Sequence, residues 1–162
     1  MLISIDGLAG TNLRAAAKGV KGGISTWDSS GIFFELEQLP AADRPSPRTL
    51  LLLYAADLHF RLRWQIEPAL KEGQTVVAAP YVETATAFGL CMGLPRKWIK
   101  ELFRFAPKAQ TAYWVSKDKA RHSRPHPGFL EFCDGILPAD FHVRFAAHFL
   151  ELEQKGKCRA IH

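Results

Sequence analysis

The first seventeen residues, MLISIDGLAGTNLRAAA (Met1–Ala17), decide the fold. An apolar stretch is followed by a short glycine-containing turn and then by an alanine-rich segment. The same strand–loop–helix order surrounds the phosphate-binding loop G-x-x-x-x-G-K-[ST], whose backbone amides, lysine and hydroxyl hold phosphates and Mg²⁺. With Gly7 as the first glycine, however, the second glycine falls on Asn12, the lysine on Leu13 and the hydroxyl on Arg14. The place for a phosphate loop is present, but its ligands are not.

The rest of the chain alternates short apolar strands with helical segments. This alternation predicts an α/β fold in three α/β/α layers, with a five-stranded parallel sheet covered on both faces. The predicted strands are Leu2–Ile5, Gly23–Trp27, Thr75–Ala79, Thr111–Val115 and Cys158–Ile161. The predicted helices follow Asn12, Gly31, Ser46, Tyr81, Pro95 and Pro138. The longest is expected from about Ser46 to Lys71, and Pro68 should kink or shorten it.

Composition indicates a cytoplasmic globular protein. A chain of 162 residues with 48% hydrophobic and 23% charged residues is expected to form one domain. No apolar run approaches the roughly 20 residues that span a bilayer, and no secretory signal begins the sequence. The three cysteines are far apart, which predicts free thiols.

The charge balance favours an anionic ligand. The net charge is +5 and the isoelectric point is about 9.3, with positive residues concentrated between Arg96 and Arg124. This basic region is either a solvated surface or a surface that binds the phosphates of a nucleotide. Nucleic acid is a disfavoured partner because the chain contains no known nucleic-acid motif.

Four motifs carry a family resemblance. They are Y-A-A-D at 54–57, E-P-A-L-x-x-G at 67–73, Y-V-x-[ST]-x-x-A-[FY] at 81–88 and W-I-x-x-L at 98–102. Together they resemble the thymidylate kinase family, P-loop enzymes that phosphorylate dTMP. The resemblance implies a sheet in the order 2-3-1-4-5 and a homodimer formed through helices. The family continues beyond strand 158–161 with another base-binding loop and helix, so this chain is either truncated or dispenses with that helix.

The departures from the family pattern fall on its polar positions. They are Ala9, Leu13 and Arg14 in the loop, Ala79 and Pro80 for the acid and arginine of the D-R-Y motif, Leu58 for the arginine expected to reach the base, and Trp27 and Asp28 for the arginine and acid of the T-R-E-P stretch. Phosphoryl transfer depends on positioning and electrostatic stabilisation. We therefore predict no efficient dTMP kinase activity and assign no catalytic residue.

The resemblance nevertheless implies the remains of two sites. The vestigial phosphate loop comprises Gly7, Gly10, Thr11, Asn12 and Arg14, and is either a weak metal-free anion site or a simple strand-to-helix turn capped by Asn12 or Thr11. The acceptor pocket comprises Asp28, Tyr54, Asp57, Tyr81 and Phe88. Tyr54 stands where the family stacks an aromatic ring on thymine, and Phe88 where one lies beneath the sugar. Asp57 alternatively holds a loop backbone or a nearby arginine.

The segment 117–127 aligns with the family's lid, whose arginines close over the phosphates. Arg121 and Arg124 are the candidates for that role, and a solvated surface loop is the alternative. His122 and His126 are four residues apart, but Pro125 breaks a helix between them and no third ligand is evident, so we predict no metal site.

Two functions remain open from the sequence. The first is a catalytically inactive, thymidylate kinase-like module that binds a nucleotide or nucleoside, or interacts with a partner such as a second copy of itself. It needs no cofactor. The second is a divergent nucleoside monophosphate kinase that uses Arg14, Arg121 and Arg124 with ATP and Mg²⁺.

Overall fold

The computed structural model describes residues 1–7, 13–26, 39–115 and 137–161. Its strands are β1 (Leu2–Gly7), β2 (Gly23–Thr26), β3 (Val76–Ala79), β4 (Thr111–Val115) and β5 (Arg159–Ile161). Its α-helices are α1 (Leu13–Lys18), α2 (Pro47–Arg61), α3 (Glu67–Lys71), α4 (Val82–Cys91), α5 (Arg96–Leu102) and α6 (Phe141–Gln154). Within these ranges, no helix has the length and apolar composition needed to cross a membrane.

The five strands form one parallel sheet in the order β2-β3-β1-β4-β5. Strand β1 is central, with Ile3 opposite Val77 of β3 on one side and Thr111 of β4 on the other. All six residues of β1 are buried, as expected for a strand covered on both faces. The predicted fold class, strand order and central first strand are confirmed.

Alternating side chains divide the sheet between two apolar clusters. Ile3 and Ile5 of β1 belong to the cluster on the α1 side, which we call the α1 cluster and which also contains Ala17. Leu2 belongs to the larger core cluster, to which helices α2, α4, α5 and α6 contribute. Since successive strand residues point to opposite faces, Asp6 lies on the same face as Leu2. That face carries the candidate acceptor pocket.

The long helix predicted from Ser46 to Lys71 is interrupted in the structure. Ser46 caps its start, because its side chain accepts a hydrogen bond from the Thr49 amide at 3.2 Å. Residues Leu62–Ile66 form a wider π-turn, closed by the Glu67 amide donating to the Leu62 carbonyl. Pro68 has no N–H to donate, so the wider turn lets the chain re-enter an α-helix with the proline near its start. The kink that Pro68 predicts is therefore limited to the π-turn that precedes the proline.

Candidate functional site

Of the vestigial phosphate loop, the structure describes the two ends. Gly7 ends β1, and its amide donates to Oγ1 of Thr84 at 3.3 Å. Gly10, Thr11, Asn12 and the side chain of Arg14 lie outside the described residues. The backbone of Arg14 belongs to α1.

Leu13 stands at the position of the family's phosphate lysine and is the first residue of α1. Its side chain is partly buried and packs against the α1 cluster, beside residues such as Ile5 and Ala17. An apolar side chain in this position gains free energy by leaving water and offers no charge to a phosphate. The packing expected of Leu13 is confirmed.

The tyrosines of the candidate acceptor pocket lie together at the carboxyl ends of β1 and β3. Tyr54 of α2 is fully buried, and its hydroxyl donates to the Tyr81 carbonyl at 2.5 Å. The Tyr81 hydroxyl donates to the Pro107 carbonyl at 2.6 Å. Burial raises the pKa of Tyr54 well above its usual value, against the opposing effect of the Arg61 guanidinium. Burial also raises the pKa of Tyr81, so both phenols are neutral hydrogen-bond donors at physiological pH.

Asp57, another predicted pocket residue, is buried and pairs with Arg61 one turn later on α2. The carboxylate Oδ2 lies 2.8 Å from Nε of Arg61, whose side chain is 1% exposed. Nη1 of Arg61 donates to the Pro80 carbonyl at 3.0 Å. Nη2 is buried and has no hydrogen-bond acceptor among the described residues. Asp57 therefore holds a nearby arginine, the alternative that the sequence left open.

Asp6 is the third charged residue of this region and was missed from the sequence. Its Oδ1 accepts three hydrogen bonds, from the Tyr81 amide at 2.9 Å and from the amide and Oγ1 of Thr84 at 2.9 and 2.7 Å. Tyr81 and Thr84 are the N-cap and third residue of α4, so Asp6 caps that helix from the neighbouring strand. Burial raises the pKa of Asp6 to about 6, although these hydrogen bonds oppose the shift.

Phe88 is more deeply buried than a residue that lines a ligand pocket needs to be. It is fully buried on α4, and its ring meets that of Phe141 on α6 at a centroid distance of 6.1 Å. Asp28 and the lid candidates Arg121 and Arg124 lie outside the described residues. In the described ranges, no group of three or more His, Cys, Asp or Glu residues could hold a metal ion. The assignment of the pocket and lid residues to a ligand stays a prediction.

At the end of β3, Ala79 and Pro80 contribute backbone groups to the site and no charged side chain. Ala79 is buried in the α1 cluster, and Pro80 contributes a carbonyl that is already used by Arg61. These two residues replace the acid and arginine of the D-R-Y motif. The described part of the site thus offers tyrosine hydroxyls and one buried guanidinium, with two carboxyl groups beside them.

Both missed residues left a signal in the sequence. Asp6 is an ionisable residue at the end of an apolar strand and directly before Gly7, where a buried carboxyl can reach the next helix. Arg61 follows Asp57 by four residues on the helix face that also carries Tyr54 and Leu58. That spacing on an apolar face predicts a buried ion pair.

The sequence of this chain is similar to those of known thymidylate kinases over part of its length. No family model matches it. A probable thymidylate kinase of Staphylothermus marinus is 28% identical over 105 residues, which is 65% of this chain and 53% of that protein. A thymidylate kinase of Desulfosudis oleivorans is 42% identical over 62 residues, covering 38% of this chain and 29% of that protein.

A solved structure shows the same fold. The crystal structure of thymidylate kinase from Ehrlichia chaffeensis superposes with a TM-score of 0.69, covering 99% of this chain and 84% of that one at 14% identity. At this identity the likeness speaks for the fold alone. The sequence similarity to the two thymidylate kinases described above is independent of this likeness in fold. Together these likenesses support the assignment of the chain to the thymidylate kinase family.

The thymidylate kinase relationship confirms the family resemblance and the P-loop kinase-like fold inferred from the sequence. The chain spans about half the length of the curated relatives it matches first.

Proposed function

We propose that this thymidylate kinase relative does not transfer phosphate and works as a nucleoside-binding, self-associating module. The observation that carries the proposal is the packing of Leu13 against the α1 cluster, at the position where the family places its phosphate lysine. A missing transition-state donor commonly costs about 10²–10³ in rate. Here Leu13 stands in place of the lysine, and Ala79 and Pro80 stand in place of the acid and the arginine of the D-R-Y motif. Groups expected to act on both substrates, ATP and dTMP, are therefore missing.

The charges of the acceptor region support an uncharged ligand. Asp6, Asp57 and Arg61 all act electrostatically on Tyr54, so two carboxyl groups and one guanidinium share this region. A phosphate monoester would face both carboxyl groups here, and Pro80 supplies no compensating charge. Thymidine should therefore bind at least as tightly as dTMP.

Two measurements test this proposal. Calorimetry should show thymidine binding with no advantage for dTMP, and ATP binding that is absent or independent of Mg²⁺. A coupled assay should show no dTMP-dependent release of ADP. Clearly tighter binding of dTMP, or Mg²⁺-dependent ATP binding with ADP release, would instead support the divergent kinase that uses Arg14, Arg121 and Arg124.

Self-association is supported by an exposed apolar stripe on α2 and the π-turn. Leu52, Phe60 and Trp64 are 50%, 64% and 62% exposed, and Ala56 lies exposed between them. The residues are four apart, so they form one line along the helix. In an antiparallel two-fold contact, Leu52 would meet Trp64 and the small Ala56 would meet the large Phe60. The stripe is thus complementary to itself, as an isologous dimer requires.

Sedimentation velocity tests the dimer. The wild-type protein should sediment as a dimer at micromolar concentration, and the variant Phe60→Ser/Trp64→Ser as a monomer. Val143→Ser is the matched control, because Val143 is 74% exposed on α6, a different helix from the one that carries the stripe. A monomeric wild type, or a double variant that still dimerises, would exclude this surface as the dimer contact.

We also propose that the protein resides in the cytoplasm. Cys91 and Cys158, the cysteines within the described ranges, are buried free thiols. Burial raises the pKa of Cys158 to about 11, so this thiol stays protonated and unreactive. Such thiols suit a reducing compartment. Thiol titration of the folded and unfolded protein isolated from cells under acid quench tests this expectation, and pre-formed disulfides would contradict it.

A further inference from the structure

Helix α5 and the turn that follows it carry a row of positive charge. Residues 96–108 include five lysines and arginines and one acidic residue, Glu101. All five cations are exposed, and Oε2 of Glu101 lies 3.6 Å from Nη1 of one of them, Arg104. Lys97, Lys100 and Arg104 follow one another at intervals of three and four residues, so they share the outward side of this segment. One glutamate neutralises this row only in part.

Aromatic rings lie along the adjacent side of the same segment, where it contacts α2. The guanidinium of Arg48, in the first turn of α2, covers the Trp98 ring, with Cζ 5.0 Å from the ring centroid. The Phe105 ring meets the His59 ring edge-on at a centroid distance of 5.1 Å, and Phe105 is still 38% exposed. Trp98 and Phe105 are seven residues apart, so the two rings stand about two helical turns apart beside the cations.

We infer that this surface binds a short stretch of single-stranded nucleic acid. We call it the α5 surface, and its residues are Arg48, Lys97, Trp98, Lys100, Arg104 and Phe105. The cations on its outward side contact the phosphates. The rings, and the guanidinium stacked on one of them, provide flat surfaces for unpaired bases. Nucleoside binding at the tyrosine pair is not required for this interaction.

The spacing of the groups favours a strand over a single nucleotide or an acidic peptide. Seven residues of helix rise about 10 Å, so the row from Lys97 to Arg104 spans more than one phosphate of a strand. An acidic peptide would use the cations alone. Rings placed beside cations bind single strands without reading their sequence, since every base has a flat face. The lack of a nucleic-acid sequence motif in this chain therefore does not oppose the interaction.

Fluorescence anisotropy with a labelled oligo(dT) of about twelve nucleotides tests the inference. The wild-type protein should bind at micromolar concentration in about 50 mM salt. The logarithm of the affinity should fall against the logarithm of the salt concentration with a slope of about −2, because each of about three phosphate contacts contributes about −0.7. Absence of binding at this salt concentration would overturn the inference.

An abasic strand of the same length tests the role of the rings in the wild-type protein. It carries the same phosphates without bases, so it should bind about fivefold more weakly or less. Equal affinities for the two strands would overturn the stacking of bases on this surface. Unlabelled oligo-glutamate of similar length should compete weakly. Competition as strong as that of unlabelled oligo(dT) would identify an acidic protein segment as the partner and overturn the inference.

Lys97→Glu/Lys100→Glu is the diagnostic variant, and Lys71→Glu/Lys157→Glu is its matched control. Each replaces two positive charges with two negative charges, which lowers the net charge from +5 to +1. Lys71 and Lys157 are exposed and lie outside the α5 surface. The diagnostic variant should bind oligo(dT) about tenfold more weakly or less, and the control should bind nearly as the wild type does. Equal weakening of both variants would show attraction to net charge alone and overturn the inference.

Phe105→Leu removes a ring and keeps an apolar side chain. It should lower the affinity for oligo(dT) about fivefold or more and leave the affinity for the abasic strand unchanged. Thermal unfolding of each variant without ligand checks that it is folded. A folded Phe105→Leu protein that keeps its full affinity for oligo(dT) would overturn the role of this ring.

Discussion

Replacing Asp6 with asparagine should stabilise the protein at neutral and alkaline pH. The pKa of Asp6 is raised from 3.8 to about 6 because burial disfavours the ionised form more than the hydrogen bonds from Thr84 and Tyr81 favour it. Asparagine keeps a side-chain carbonyl in place for the same three donors. It removes the buried charge.

The size of the effect follows from the two pKa values. A rise from 3.8 to about 6 on folding corresponds to about 3 kcal/mol, at about 1.4 kcal/mol for each tenfold change in proton affinity. Between these values the folded protein keeps a proton that the unfolded chain has released. The contribution of Asp6 to the free energy of unfolding therefore falls as the pH rises through this window, and it is constant above it. The amide of asparagine introduces N–H groups that also need partners, so we expect a net gain of about 1–3 kcal/mol above the window.

Urea unfolding across the range from about pH 4 to about pH 8 measures this difference. The stability advantage of Asp6→Asn should grow from low pH to high pH. Asp43→Asn, at an exposed carboxyl on a surface turn, is the control and should show no such growth. A difference that stays constant with pH, or an asparagine variant that is less stable at the alkaline end, would show that the hydrogen bonds to the carboxylate outweigh its burial.

Three further changes have defined outcomes. Leu13→Lys should produce no dTMP-dependent release of ADP in a coupled assay, because one lysine restores neither the loop glycine nor the metal-side hydroxyl; measurable turnover would contradict this. Gly89→Ala should cost about 1–3 kcal/mol in urea unfolding, since the added Cβ would lie 2.8 Å from Cδ1 of Ile99, and Ile99→Val should recover part of that loss. Arg61→Met should cost about 3–5 kcal/mol by leaving the Asp57 carboxylate without its guanidinium, and adding Asp57→Leu should recover much of it; additive losses would refute the coupling.

Alternating apolar segments were sufficient to predict the sheet. The strand order, with β1 at the centre, was implied by the family resemblance. The burial of all six β1 residues agrees with a strand that is covered on both faces. The interruption of the long helix at Leu62–Ile66 was not predicted. Its position depends on how the preceding and following turns pack, and Pro68 indicates only that some adjustment occurs nearby.

The chemistry around the site was predicted less well. Motif positions located Tyr54, Asp57 and Tyr81, which do lie in one region. The role of Asp6 required knowing that the start of α4 comes within hydrogen-bond distance of the end of β1. The unused nitrogen of Arg61 likewise depends on which two acceptors the guanidinium has already taken. Such partnerships join residues distant in sequence, so periodicity and spacing alone do not reveal them.

The segment Pro80–Tyr81 is held by side chains from two other elements. Arg61 and Tyr54 of α2 bind its two carbonyls, and Asp6 of β1 binds the Tyr81 amide. Freeing this junction requires β1, α2 and the start of α4 to separate in one event. These elements should therefore open as a single cooperative unit, and the Tyr81 amide should exchange its hydrogen with solvent only at the rate set by that opening. Thr49, at the exposed start of α2, should exchange far sooner.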